Sequence, residues 1–266
     1  MKILIICVNY NSYHELDLFL DSINIAASKI PNDVKVDVII VDNSSISKEI
    51  NFEGFKFINI GITKLNNVGY LIGAQTVINK NPQILDYDYV AISNVDIVMA
   101  EDFFINLEKC KIQNNIAWIA PKIFSRLENR NRNPKVLSRY SKKKLLLLYY
   151  MYRIPLLFYI YSSTAYKRKK RQPIYPEMDI YAGHGSFMLL THSFFESYKK
   201  IEYPIFLFGE ELYLAELIMK KGKKVHYIPS LILEDNEHVS TSTLKKKSFF
   251  KFNCDSIKYI LDTFYK

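Results

Sequence analysis

The chain has 266 residues, 49% of them hydrophobic, enough to bury a sizeable core and to exclude a disordered polypeptide. Its three cysteines, Cys7, Cys110 and Cys254, lie far apart without a CxxC pair, which argues against a disulfide framework or a cysteine zinc site and fits a reducing cytoplasm. The net charge of +9 is a local property. No Asp or Glu falls between Arg130 and Arg171, while Lys142, Lys143, Lys144, Arg153 and the run 167–171 do, so the basic character points to a local anionic partner.

The N-terminal MKILIICVNYN lacks the long apolar region and small-residue cleavage site of a signal peptide and reads as a first core strand over 3–8. A second strand is predicted at 36–41 (VDVIIV), with a helix at 14–29 between them; both strands are β-branched and bounded by turn formers. A strand at 55–60 (FKFINI), a helix at 70–80, a strand at 88–93, a helix at 101–113 and a strand at 116–120 continue the alternation. This rhythm implies an α/β fold with a mostly parallel central sheet flanked by helices. Ligands of such sheets bind at the carboxyl ends of the strands, where Asn9, Asp42 and Asp96 fall.

Residues 129–176 break the rhythm. Leu145 to Tyr161 is at the lower limit of length for a membrane span, is interrupted by Arg153 and Pro155, carries five tyrosines and has basic flanks. It is predicted to be an interfacial helical hairpin drawn to an anionic membrane surface, the competing reading being a buried helix pair with solvated basic ends. Nucleic acid is not expected as a partner. The α/β pattern resumes with a strand over 181–190, a helix over 211–221, a strand over 224–228, a polar loop over 231–241 and a helical tail over 248–265. The expected division is a first α/β half over 1–128, the insert over 129–176, a second half over 177–241 and the tail over 242–266.

Six segments, in order, together resemble the family 2 glycosyltransferases, inverting enzymes of the bacterial surface-polysaccharide type with the glycosyltransferase A fold. They are VNYNS (8–12), VDNSS (41–45), NNVGYLIGAQ (66–75), SNVD (93–96), FLFGEELYL (206–214) and VHYIPSLILEDNEHVST (225–241). The resemblance covers 3–120 and 180–241. It implies transfer of a hexose or deoxyhexose from a nucleotide-diphosphate sugar to a glycan acceptor on a lipid carrier. The enzyme would work in the cytoplasm, peripherally at the inner face of the cell membrane.

The diphosphate leaving group calls for a divalent cation, and hard oxygen ligands suit Mg²⁺ or Mn²⁺. Asp96 closes the family's metal triplet, although an Asp at a strand end can equally be a turn or helix-cap residue. Asn94 at the triplet's first position offers only a neutral carbonyl, so the metal would be held weakly and mainly by its phosphates. Asp42 would bind the base or ribose, unless it only closes the Asp-Asn-Ser-Ser turn. Asn9, Asn67, Gly69 and Asn94 are further nucleotide-side candidates.

One-step inversion needs a general base for the acceptor hydroxyl. Glu210 and Glu211 are adjacent and point about 100° apart on a helix, so only one serves as base. The resemblance places it at Glu211, with Glu210 supporting; alternatively both merely favour the helix N-terminus. His184 and Gly185 lie where the family packs the donor sugar. The chain departs from the family in its last loop: the position of the usual metal-binding histidine after Pro229 is Asp235, with His238 three residues on, and either could serve as ligand. A sugar nucleotidyltransferase, expected to carry a glycine- and arginine-rich loop after the first strand, and a non-catalytic membrane-surface protein are the alternatives.

Overall fold

A computed structural model describes residues 1–31, 34–46, 48–164, 173–236 and 244–266. The chain order is β1 (Lys2–Asn9), α1 (Tyr13–Ala27), β2 (Lys35–Asp42), β3 (Asn59–Lys64), α2 (Tyr70–Lys80), β4 (Tyr89–Asn94), β5 (Ile97–Met99), α3 (Phe103–Lys109) and β6 (Ile116–Ser125). It continues with β7 (Arg130–Asn131), α4 (Lys142–Arg153), α5 (Pro155–Thr164), β8 (Met178–Ile180), β9 (Phe187–Thr191), α6 (His192–Ser197), α7 (Glu210–Lys220), β10 (Lys224–Asp235) and α8 (Lys246–Phe264). His238 and the basic run 167–171 lie outside the described residues.

One sheet runs β3-β2-β1-β4-β9-β6-β10-β5, with β7 on β6 and β8 on β10. Its first four strands are parallel. Strand β9 then inserts antiparallel between β4 and β6. The continuous apolar runs predict what is seen, because a sheet covered on both faces buries both sets of side chains. Strand β1 places Leu4 and Ile6 in one core with α2, α7 and α8, and Ile3 and Ile5 in the other with α1 and α3.

Several elements differ from the sequence reading; α3 ends at Lys109 rather than 113, and β6 runs on to Ser125 rather than 120. The third strand begins at Asn59 rather than 55, because β3 is an edge strand whose register is set by pairing with β2, Asn59 Nδ2 donating to Asp37 Oδ1 at 2.8 Å. The strand expected over 181–190 is confined to β9, with residues 181–186, which follow the short β8, forming a loop that enters the site. The loop expected from 231 is strand as far as Asp235. Strand β10 shifts register around Pro229 and resumes pairing with β6 from Ile232 to Asp235, so Asp235 is fixed at a strand end.

Candidate active site

A cleft of about 1010 Å³ opens at the carboxyl ends of the parallel strands. Asn67, Asn94, Asp96, His184, Gly185, Glu210, Glu211 and Asp235 all line it. Residues more than 160 positions apart in sequence thus converge on one cavity.

Its β1–β2 side is built by side chains that imitate backbone. Asn43 donates through Nδ2 to the Val68 carbonyl (2.7 Å) and accepts from the Val68 amide (3.1 Å), clamping the Asn67-Val68 turn. Asn67 sits there at φ 53, a left-handed conformation that asparagine tolerates better than most residues. Asp42 and Asn9 stand behind this surface rather than in it. Asp42 is buried and accepts from the Tyr13 hydroxyl at 3.1 Å, from Asn9 Nδ2 at 3.3 Å and from the Ser44 amide at 3.3 Å. Gly69 is also outside the cavity lining. It allows a close approach: a Cβ there would lie 1.9 Å from the Phe206 carbonyl oxygen, and that carbonyl accepts from the Tyr70 amide at 3.2 Å.

The next wall holds the acidic pair. Asp96 follows β4, and its carbonyl accepts from the Asn236 amide at 2.9 Å, which joins it to the end of β10 and so to Asp235. Asp96 Oδ1 is buried without a hydrogen-bond partner among the described residues. Burial, and secondarily the charge of Asp235, pushes the Asp96 carboxyl up to about 6, against stabilising hydrogen bonds and Arg132. Arg132 Nε lies 3.5 Å from Asp235 Oδ2. Two mutually repelling carboxylates, one with an orphaned oxygen, form a donor set that a hard divalent cation satisfies. No third His, Cys, Asp or Glu joins them among the described residues, so phosphate and water oxygens would have to complete the shell.

Opposite chemistry appears at the start of α7. Phe208 at φ 71 and Gly209 at φ 80 turn the chain through two left-handed residues. The turn is fixed by the Tyr203 hydroxyl donating to the Phe208 carbonyl at 2.6 Å. The turn presents both glutamates in the first helical turn, in different surroundings. Glu210 is buried, and desolvation, reinforced by the charge of Glu211, pushes its carboxyl up to about 8. Glu211 is more open and pairs with Lys135, Nζ to Oε1 at 3.4 Å.

His184 receives the Ser186 amide at Nδ1 (3.2 Å), with Ser186 Oγ also 2.8 Å from that nitrogen. An N–H aimed at Nδ1 makes it the acceptor and leaves the ring proton on Nε2. Burial and the nearby Lys135, Arg132 and Arg130 hold His184 well below its usual range, so it is a neutral donor. Arg132, Lys135 and Tyr140 were not among the sequence candidates, although they line the cleft. Nothing in their local sequence marked them beyond the positive charge of Arg132 and Lys135, and the pairing of β7 with β6 and the Val136–Ala182 bridge bring this segment in. Tyr10 and Asn43, also in the lining, could have been found beside Asn9 and Asp42 as the next residues after their strands.

Three solved glycosyltransferases share this architecture. The fold is the glycosyltransferase A fold. PcManGT, a mannosyltransferase from Pyrobaculum calidifontis solved with GDP-Man and Mn²⁺, is 15% identical over 90% of this chain and 57% of its own, with a TM-score of 0.50. S. aureus TarS 1–349 in complex with UDP-GlcNAc is 13% identical over 92% of this chain and 62% of its own, at 0.55. GalNAc-T7 with UDP, GalNAc and Mn²⁺ is 11% identical over 99% of this chain and 57% of its own, also at 0.55. The chain thus spans less than two thirds of the length of each. No family model matches the chain, and no curated protein sequence matches it.

Proposed function

We propose that this chain is an inverting glycosyltransferase that uses a nucleotide-diphosphate sugar. The observation that carries the reading is the convergence of Asp96, Asp235 and Glu211 in one cleft at the strand ends of a glycosyltransferase A fold. The nucleotide would lie over Tyr10, Asn43 and Asn67, with Asn9 and Asp42 holding that surface from behind. Asp96 and Asp235, helped by Asn94, would hold Mg²⁺ or Mn²⁺ together with the diphosphate. When bound, the cation would neutralise charge on the leaving group.

Glu211 is the general base in this reading. It takes the proton of the acceptor hydroxyl as that oxygen bonds to the anomeric carbon and the bond from that carbon to the diphosphate breaks, inverting the centre. Glu210, buried and pushed up by desolvation and by the charge of Glu211, is less suited to be the base than its more open neighbour; it supports the turn. Lys135 orients Glu211 and, with Arg132, adds positive charge beside the leaving diphosphate. His184 offers its Nε2 proton to a sugar hydroxyl or phosphate oxygen, beside Gly185. The donor sugar is a hexose or deoxyhexose, and the acceptor a lipid-linked glycan in surface-polysaccharide synthesis. The setting is the cytoplasmic face of the membrane. The basic, aromatic α4–α5 segment supports that setting.

Purified protein incubated with UDP-, GDP- and dTDP-sugars plus Mn²⁺ tests the reading. Hydrolysis or transfer is expected with one nucleotide class, lost in Glu211→Gln. Failure to bind any of them would overturn it.

A further inference from the structure

The hairpin α4–α5 is exposed where its composition should bury it. Almost half of the large exposed hydrophobic side chains of the described residues fall within 146–161, Leu147 at 62% and Leu156 at 67% exposed among them. Helix α5 has no buried residue among those described and is held to the body mainly through Phe158, whose ring meets Tyr152 at 5.6 Å, Phe250 at 5.3 Å and Phe249 at 5.9 Å. An apolar face of this extent marks an interaction surface.

The surrounding charge says what covers it. Lys142, Lys143 and Lys144 open α4, Arg153 stands at the bend, and Lys245, Lys246 and Lys247 open the neighbouring α8; all are exposed. No Asp or Glu occurs in 129–164 or 244–254. A face that is only apolar and cationic repels a second copy of itself and complements an anionic lipid leaflet. The hairpin bends by 108° and no single described helix is long and apolar enough to cross a bilayer, so it fits a surface-lying element rather than a straight span. The inner side of the same hairpin reaches the catalytic cleft: Leu148 and Tyr152 of α4, with Phe249 and Phe252 of α8, line the cavity that contains Glu211.

We propose that α4–α5 lies flat in the head-group region of an anionic bilayer, and that a membrane-anchored acceptor reaches Glu211 past Tyr152 and Phe249. The second half of this proposal rests on the transferase reading; the first half does not.

Flotation of the full chain with phosphatidylcholine vesicles, with and without phosphatidylglycerol, tests it. Binding is expected only with the anionic lipid and should weaken with salt. Replacing Lys142, Lys143 and Lys144 by Ala should weaken it by on the order of 100-fold, given about fivefold per basic residue near such a surface. The double variant Leu156→Glu, Ile160→Glu, on exposed positions outside the cleft, should lower it by roughly tenfold or more, by removing buried apolar area, while nucleotide-sugar binding is unchanged. Light scattering separates the competing occupant: a dimer that becomes monomeric in the double variant, with no vesicle binding by wild type, overturns the proposal. Wild type that ignores anionic vesicles yet binds nucleotide sugar overturns the membrane contact and leaves the transferase reading standing. Vesicle binding without any nucleotide-sugar binding upholds the contact and removes the acceptor half.

Discussion

Lys135 Nζ lies 3.4 Å from Glu211 Oε1, so the carboxylate proposed as the base is held by a cation from 76 positions earlier in the chain. The pair distinguishes Glu211 from Glu210, its neighbour on the same helical turn. Glu211→Gln should lower transfer by about 10²- to 10⁴-fold, the usual contribution of a general base, with little effect on nucleotide binding. Glu210→Gln, which imitates the protonated form already favoured there, should cost far less. Steady-state kinetics of the two variants beside nucleotide titrations checks this, and equal losses in both would reject the assignment.

The buried Glu210 also sets a pH dependence of stability. Its folded-state value, about 8, lies above the ordinary 4.5, so between these pH values the folded chain keeps a proton that the unfolded chain has released. Stability from this group therefore falls as pH rises through that window. Thermal melts of wild type should lose stability from about pH 5 to about pH 8 relative to Glu210→Gln, which lacks the titrating proton. A variant curve parallel to wild type would contradict it.

Asp96 is placed at a cost to the metal-free fold. Its orphaned Oδ1 and the neighbouring charge of Asp235 both disfavour the carboxylate. Asp96→Asn is expected to leave the metal-free melting temperature unchanged or raise it, while abolishing any tightening of nucleotide-diphosphate binding by Mn²⁺. Calorimetric titration of the nucleotide with and without Mn²⁺ reads the second effect. A variant that is destabilised yet still shows metal-enhanced binding would place the cation elsewhere.

Gly69 offers a test of what a motif glycine does. Because a Cβ there would meet the Phe206 backbone at 1.9 Å, Gly69→Ala must displace the loop leading to Phe208 and Glu210. A loss of about 1–3 kcal/mol is expected from the overpacking, read as a lower melting temperature. Nucleotide affinity should change only as a consequence. Loss of nucleotide affinity at full stability would restore a direct binding role.

What the sequence disclosed follows from how far each signal reaches along the chain. Strands β1 and β2 and helices α1, α2 and α7 were legible because burial on a known period leaves a local pattern. Strand β3 was misplaced by four residues because it is a mostly exposed edge; Phe57, inside the expected strand, is 53% exposed, so the aromatic run was misleading. The extension of β10 to Asp235 was hidden by Pro229, since a proline reads as a strand end when a shifted register in fact carries the strand past it. The acidic residues of the cleft stood in recognisable segments, Asp96 after a strand and Glu210 and Glu211 at a helix start. Arg132, Lys135 and Tyr140 did not, because a hairpin and a single bridge, both long-range pairings, bring them there. Asp42 shows the converse: its sequence position marks a strand-end site, yet its carboxylate is occupied by Tyr13, Asn9 and Ser44.

The cleft's outer wall is tied by an ion pair whose acidic end is buried and whose basic end is exposed. Glu216 of α7 is almost fully buried and accepts from Arg139 twice, from Nε at 2.8 Å and from a terminal guanidinium nitrogen at 2.9 Å, and from the Tyr181 hydroxyl at 2.5 Å. Arg139 also donates to the Phe264 carbonyl at 3.1 Å and covers the Tyr265 ring at 4.1 Å, tying α7 to the end of α8 just before α4 begins. Arg139→Met leaves the buried Glu216 carboxylate without its cation, and a loss of about 1–3 kcal/mol is expected, less than for a fully buried pair because Arg139 is exposed and the Tyr181 hydroxyl still serves the carboxylate. Removing both, as Arg139→Met with Glu216→Leu, should recover part of that loss, because the uncompensated charge goes with the second substitution. Denaturant unfolding of the two single variants and the double variant gives the coupling directly. If the losses simply add, the pair is not holding α7 and α8 together, and the wall that carries Phe249 and Phe252 must be anchored by the apolar contacts of α8 alone.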